Sequence, residues 1–157
     1  YGTEAGMWGA DDPCDRMPMV WPEMTFDAQQ ADPLRRPREP DVVEFDHELH
    51  NYYRDAIWLR RNRSALRRGA IDLFYANDSA RFMAFRRSDD RETLVVGLNR
   101  GNTAHQWLLP LLENQAVVPI LIASGRKDII VIEQRPDGAL VTVPPYDGVV
   151  LEVNRKE

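Results

Sequence analysis

Four acidic side chains lie within the first fifteen residues and are the most evident groups for acid–base or metal chemistry. They are Glu4, Asp11, Asp12 and Asp15. Acid–base catalysis by two carboxyl groups needs environments that push their pKa values apart, whereas these four follow one another on one short segment. A calcium site usually takes six or more oxygen ligands. The sequence therefore predicts no catalytic residue and no metal site within this chain.

The charge pattern argues against nucleic acid and membranes as partners. Six arginines between positions 54 and 68 form a basic stripe, but the chain has a net charge of −5 and no recognition motif accompanies the stripe. We interpret it as a solvated helix face. No apolar run approaches the roughly 18 residues that a membrane helix needs. Cys14 is the only cysteine, which favours a cytoplasmic location, with secretion as the alternative.

The hydrophobic periodicity changes at Gly69. Residues 1–44 have the Pro, Gly and Asp content of loops, with short extended pieces only at 1–7 and 19–21. Residues 45–68 predict one amphipathic helix, with Asp46 as its N-cap and Gly69 as a left-handed residue at its end. The apolar residues of its expected buried face are Phe45, Leu49, Tyr52, Tyr53, Ala56, Ile57 and Leu59.

From residue 70 onwards the apolar residues follow a period of two, which is typical of strands. Eight short runs separated by turn residues predict an antiparallel β-sandwich. The predicted strands are Ile71–Tyr75, Ala80–Arg87, Glu92–Asn99, His105–Leu109, Val117–Ala123, Ile129–Gln134, Ala139–Val143 and Val149–Asn154.

The first 21 residues carry the most specific pattern in the chain. It consists of Tyr1-Gly2-Thr3-Glu4-Ala5-Gly6-Met7, Gly9, Asp12-Pro13, Arg16, Pro18-Met19 and Trp21. The pattern resembles the end of the catalytic barrel in the α-amylase family of glycoside hydrolases, in particular the branch of cyclomaltodextrinases, neopullulanases and maltogenic amylases. Residues 53–69 resemble the helix that follows the last barrel strand, and residues 94–110 resemble the β-sandwich behind it.

The resemblance implies a retaining enzyme that acts on α-glucans and whose catalytic carboxylates lie upstream of Tyr1. Retaining glycosidases use two carboxyl groups roughly 5–5.5 Å apart as nucleophile and general acid. By resemblance, Asp12 and Arg16 contact the sugar on the non-reducing side of the cleaved bond; the alternative is an ion pair that only holds the loop. Trp8 and Trp21 are candidates for stacking on sugar rings, with packing as the alternative. No cofactor is expected here, although calcium is possible in the parent enzyme.

The expected fold is mainly β, with two parts. Residues 1–69 would be the end of a catalytic (β/α)8 barrel, comprising strand 8, a long loop and helix 8, and residues 70–157 a C-terminal antiparallel β-sandwich. The expected substrate is an α-glucan or maltooligosaccharide. Because a lone barrel strand at Tyr1–Met7 and an apolar helix face would be uncovered, we expect them to pack against a second copy or the rest of the enzyme.

A stand-alone carbohydrate-binding or assembly module without catalytic activity is the alternative function. Such a module needs an exposed aromatic platform on the sandwich. Trp107 and Tyr146 are the candidates beyond residue 86.

Overall fold

The computed structural model describes residues 1–7, 17–31, 35–125 and 130–156. The chain divides into two compact units, Tyr1–Asp55 and Ala56–Glu157. Helix α1, His47–Asn62, contributes residues to both units. Each unit is described below by itself.

The first unit begins with a 3-10 turn and contains a small hairpin. The turn covers Thr3–Ala5, and strands β1, Gln29–Ala31, and β2, Pro37–Asp41, pair in antiparallel fashion. The expected extended segment at Tyr1–Met7 is therefore wrong. Gly2 and Gly6 both have positive φ, and the amides of Ala5 and Met7 both donate to the Gly2 carbonyl. These local hydrogen bonds occupy the groups that a barrel strand would use for pairing.

The predicted helix is present but is broken in two. Asp46 caps α1 as predicted, because the Leu49 amide donates to Asp46 Oδ1 at 2.9 Å. At Arg63 the backbone becomes extended, with φ −111° and ψ 114°, and a second helix, α2, covers Ser64–Arg68. A single helix over 45–68 is therefore wrong. Gly69 is also extended rather than left-handed, with φ −64° and ψ 156°, because the chain runs directly into the first sandwich strand.

The predicted burial of the helix face is observed only in part. In the part of the face that belongs to the second unit, Leu59 is buried, but Ile57 is exposed, as is its neighbour Trp58. In the first unit, Tyr52 and Tyr53 are half-buried and lie edge to face with ring centroids 6.0 Å apart. The apolar spacing predicted the helix but not which residues pack against its apolar face.

The second unit contains all eight predicted strands, arranged in two antiparallel sheets. Strand order is β3-β4-β5-β10-β7 in the larger sheet and β6-β9-β8 in the smaller one. The strands are β3 Ala70–Asn77, β4 Phe82–Ser88, β5 Thr93–Asn99, β6 His105–Pro110, β7 Gln115–Ile122, β8 Val131–Arg135, β9 Gly138–Val143 and β10 Gly148–Arg155. The mainly β, antiparallel fold class is confirmed, and the observed strand ends differ from the predicted ones by only a few residues.

Side chains from both sheets form one core between them. It includes Val95 and Leu151 from the larger sheet and Leu109 and Val141 from the smaller one. Trp107 belongs to this core and is only 2% exposed, so it cannot serve as the exposed platform considered from the sequence. Gly97 leaves room for its indole, since a Cβ there would lie 2.8 Å from the Trp107 ring.

Helix α2 packs on the outer face of the larger sheet, against β4 and β5. Arg63, just before α2, donates to both carboxylate oxygens of Glu152 on β10, at 2.6 and 3.1 Å, and to Glu92 at 3.1 Å. The other oxygen of Glu92 accepts from the Ala65 amide at 3.0 Å. The hydrogen bond to Glu152 is the main cause that raises the pKa of Arg63 above its ordinary value.

The Arg63 network should therefore contribute measurably to stability. We expect Arg63→Ala to lower the free energy of unfolding by about 2–3 kcal/mol, because two partly buried carboxylates lose their cation. Urea denaturation followed by circular dichroism measures the change. Arg54→Ala is the matched control: its 3.6 Å ion pair with Asp55 is exposed, so its loss should cost less than about 1 kcal/mol. Equal effects of the two substitutions would contradict this prediction.

His105 should make the sandwich sensitive to mild acid. Its Nε2 lies 3.1 Å from the Tyr75 hydroxyl and its ring lies 4.5 Å from that of Phe82. Burial lowers its pKa below the ordinary 6.5. The unfolded chain then binds this proton more readily, so His105 leaves stability unchanged above about pH 6.5 and lowers it as the pH falls further.

The His105→Gln variant isolates this effect, because Gln does not titrate and retains hydrogen-bonding groups. The difference in unfolding free energy between wild type and variant should stay constant from pH 7 to 8, and shift against the wild type at pH 5.5. A difference that does not change with pH would show that the folded protein binds the proton as well as the unfolded chain does.

Candidate functional site

The N-terminal turn positions the start of the segment that carries the candidate substrate-binding residues. Gly2 and Gly6 flank the turn with φ of 80° and 73°, values that glycine adopts without steric cost. Ala5 between them is fully buried. Glycine at both ends therefore allows the chain to form a compact turn immediately before residue 8.

The first turn of α1 anchors this N-terminal turn. The Asp46 amide donates to the Ala5 carbonyl at 3.0 Å, and Asp46 Oδ1 accepts from the Leu49 amide. Asp46 thus caps the helix with its carboxylate and holds the turn with its backbone amide. The contact is close: a Cβ at Gly6 would lie 2.7 Å from the Asp46 Cβ.

Two contacts connect the residues on either side of positions 8–16. The Tyr1 hydroxyl donates to the Met17 carbonyl, and the Val20 amide lies 3.5 Å from the Met7 sulfur as a weak hydrogen bond. A cavity of about 30 Å³ beside Met7, Met17 and Val20 has room for little more than water. Contacts with other described residues therefore hold Met7 and Met17, which lie at the two ends of positions 8–16.

The predicted site residues divide between described and undescribed positions. Trp8, Asp12 and Arg16 lie outside the described residues, so their predicted roles stay predictions. Trp21 is described and is 51% exposed. Its indole is thus accessible to a ligand.

A larger cleft lies in the second unit, between the ends of its two sheets. Its volume is about 490 Å³, and Arg86, Thr93, Leu109 and Val153 are among the residues that line it. The volume is that of a small-molecule site, but the lining contains no aromatic ring. Arg86 lies 3.6 Å from Asp72 and 5.2 Å from the centre of the Phe74 ring. The cleft thus has no aromatic platform of the kind predicted for sugar stacking.

The other pKa shift that the structure resolves has a structural cause. A hydrogen bond from Ser64, followed by backbone amides of Arg91 and Glu92, lowers the pKa of Asp89. This carboxylate shapes the turn between β4 and β5. Among the described residues, no group of three or more His, Cys, Asp or Glu side chains could hold a metal ion. None of the helices in the described part of the chain is long and apolar enough to cross a membrane.

Known proteins resemble this chain over nearly its whole length. A cyclomaltodextrinase of Geobacillus thermopakistaniensis (strain MAS1) is 28% identical over 153 residues, which is 98% of this chain and 22% of the relative. Neopullulanase 2 of Thermoactinomyces vulgaris is 26% identical over 96% of this chain and 22% of its own length. These similarities are consistent with the C-terminal part of an α-amylase-family enzyme. The chain spans about a fifth of the length of these relatives.

Solved structures of family members share the fold. The α-amylase from H. orenii has a TM-score of 0.70 at 23% identity, over 98% of this chain and 31% of that one. An α-amylase from Geobacillus thermoleovorans, crystallised with acarbose, has a TM-score of 0.69 at 22% identity, over 100% of this chain and 29% of that one. No protein-family model matches the chain.

Sequence reasoning missed the groups that hold the residues on either side of positions 8–16. The sequence predicts a strand at Tyr1 and a helix cap at Asp46, and neither prediction includes the contacts of Tyr1 with Met17 or of Asp46 with Ala5. Arg63 was one of six arginines in the helical stripe, and nothing in the sequence distinguished it from the others. Its partners Glu92 and Glu152 are 29 and 89 residues away.

Two glycine substitutions should separate backbone strain from loss of the anchor. Gly6→Ala combines an unfavourable φ with a collision against Asp46, and should cost about 2–4 kcal/mol of stability. Gly125→Ala has the same strain, with φ of 71°, but an added Cβ would meet no atom within 4 Å. It should cost only about 1–2 kcal/mol.

Hydrogen exchange of the Asp46 amide is the local measurement, because this amide donates to Ala5. Gly6→Ala should remove its protection, whereas Gly125→Ala should leave it unchanged. Unaltered protection in Gly6→Ala would mean that the turn is not held through Asp46.

Proposed function

We propose that this chain works as the C-terminal region of a glycoside hydrolase that hydrolyses or transfers α-glucosidic bonds by a retaining mechanism. The observation that carries the proposal is the match to cyclomaltodextrinase and neopullulanase sequences over 96–98% of the chain. A match of this extent includes the loop with Asp12 and Arg16. The acarbose complex among the structural neighbours agrees with a carbohydrate ligand for the family.

The loop would position the substrate rather than carry out the chemical step. The Asp12 carboxylate offers hydrogen-bond acceptors and the Arg16 guanidinium offers a planar set of donors, which together suit two neighbouring sugar hydroxyls. Trp21 would add an apolar face for a sugar ring. The contacts of Tyr1 with Met17 and of Met7 with Val20 support this role, since they fix where the loop begins and ends. A residue pair that holds the sugar in place lowers the entropy lost when substrate and catalytic groups are brought together.

The nucleophile and general acid would come from residues outside this sequence. Retaining hydrolysis needs one carboxylate that attacks the anomeric carbon and one acid that protonates the leaving oxygen. The sequence contains no pair that the family pattern identifies with these roles. We therefore propose that the chain contributes binding and support to a catalytic centre that it does not contain.

The sandwich would support the catalytic barrel through the outer face of its larger sheet. The strand register places Met83 beside Leu98, and Leu73 beside Phe85, on the face opposite the core. Ile71, Leu73 and Val118 are all exposed. A sheet that is apolar on both faces needs a layer on each side, and helix α2 packs mainly on β4 and β5.

Arg16→Ala in the full-length enzyme tests the substrate contact. We expect kcat/KM for maltooligosaccharides to fall by the equivalent of about 1.5–3 kcal/mol, the value of a charge-assisted hydrogen bond, at a nearly unchanged melting temperature. Arg61→Ala, which removes an exposed helix arginine, is the matched control and should change neither quantity. Unchanged kinetics with a lowered melting temperature would favour an ion pair that only holds the loop.

The isolated 157-residue chain provides a second control in the same assay. It should not turn over maltooligosaccharides, cyclodextrins or pullulan. Turnover that survives purification and disappears in Glu4→Gln or Asp12→Asn would overturn the proposal that catalysis needs residues outside this sequence.

A further inference from the structure

The turn between β9 and β10 presents an aromatic ring to solvent. Tyr146 follows Pro144 and Pro145 and is 74% exposed. Its φ is 55°, in the left-handed region that glycine or asparagine ordinarily occupies in turns. A tyrosine here is strained and buries little of its ring. Packing within the described part of the chain does not explain this choice of residue.

Hydrogen bonds on both sides of Tyr146 hold the turn in this conformation. The Tyr146 amide donates to the Gly101 carbonyl at 3.2 Å, and the Asn99 amide donates to the Asp147 carbonyl at 2.8 Å. The side chain of Asn99 is buried and donates to the carbonyls of Val143 and Pro144. The turn is thus fixed to the loop that follows β5.

Asp147 anchors the other side of Tyr146. Its carboxylate is buried and accepts from the amides of Ser124 and Gly148, at 3.0 and 2.7 Å, and from the Ser124 hydroxyl at 2.7 Å. The conformation is therefore imposed by two separate segments, the loop after β5 and the turn that contains Ser124. Strain that the surrounding structure imposes so thoroughly is characteristic of functional positions.

Exposed polar side chains belong to the neighbouring turns. Asn102 follows Gly101. The Arg100 amide donates a hydrogen bond to the Arg81 carbonyl at 2.9 Å, which links the turns that contain these two arginines. Arg81, Arg100 and Asn102 are all exposed. Their amide and guanidinium groups donate hydrogen bonds, and the amide oxygen of Asn102 accepts them.

We infer that Tyr146 is the platform of a second α-glucan-binding site, formed by the turns 99–103 and 144–148 and separate from the Asp12–Arg16 loop. The choice of an α-glucan as the ligand rests on the proposed function. A tyrosine ring offers a flat apolar face with a polar edge and loses little conformational entropy on binding. A turn that is already rigid lowers the cost of binding further.

A second site is useful to an enzyme whose substrate is a chain of repeating units. Once one part of a long glucan is held at Tyr146, its other units remain at a raised effective concentration near the protein. A substrate too short to occupy both sites at once gains nothing from such a site. The site would therefore favour longer chains without taking part in bond cleavage.

Titration of the ¹⁵N-labelled 157-residue chain with maltoheptaose tests the inference by NMR. We expect amide shifts at Gly101, Asn102, Ser124 and residues 146–148, with a Kd on the order of 1 mM. Shifts at residues 17–21 report separately on the N-terminal loop. Failure of the proposed loop contact and failure of this inference are thus distinguished in one spectrum.

Substitutions of Tyr146 separate the contribution of the ring to binding from that of the turn conformation. Tyr146→Gly removes the ring while accepting the positive φ, so it should keep or raise the melting temperature and weaken binding by about tenfold or more. Tyr146→Phe should bind within about threefold of the wild type, since the ring face remains. Trp58→Ala removes another exposed aromatic residue and should leave the shifts at both turns unchanged.

Three results would overturn the inference. The first is that maltoheptaose causes no shifts at the turns 99–103 and 144–148. The second is that Tyr146→Gly binds as well as the wild type. The third is that Tyr146→Gly changes the sedimentation coefficient while maltoheptaose has no effect at these turns, which would identify the ring as a protein contact.

Discussion

The ion-pair network around Arg63 is the interaction on which the arrangement of the second unit depends. Its guanidinium holds carboxylates from the start of β5 and from β10, and Glu92 in turn caps the first turn of α2. The network joins one helix to two strands that are distant in sequence. The desolvation of these partly buried charges is offset because each has partners of opposite charge or a backbone donor.

The position of α2 determines which part of the larger sheet is covered on its outer face. Leu94 is fully buried although it points away from the core, and β5 is consequently buried on both faces from Leu94 to Gly97. The exposed residues Ile71 and Leu73 lie on the edge strand β3. An apolar outer face that is covered in one part and open in another is typical of a domain that supports a larger assembly.

In both the N-terminal segment and the sandwich, the residues that the sequence suggests as ligand contacts depend on hydrogen bonds made by other residues. The family pattern in the first 21 residues predicts a loop and its candidate sugar contacts. The Tyr1 hydroxyl and the Asp46 amide hold the residues on either side of this segment, through hydrogen bonds to the carbonyls of Met17 and Ala5. Likewise Tyr146 was recognised as a candidate platform from its residue type, but its strain and exposure depend on Asn99, Gly101 and Ser124.

The secondary structure of the sandwich follows from local sequence, because alternation of apolar residues and turn chemistry are local properties. All eight strands and the Asp46 cap were predictable in this way. The break at Arg63, the extended Gly69 and the burial of Trp107 were decided by the tertiary structure. Each depends on a partner far along the chain: Glu152 for Arg63, the strand pairing of β3 with β4 for Gly69, and the space at Gly97 for Trp107. Periodicity predicts which residues share one face of a helix or strand. It does not predict which distant residues pack against that face, so these contacts are known only from the folded structure.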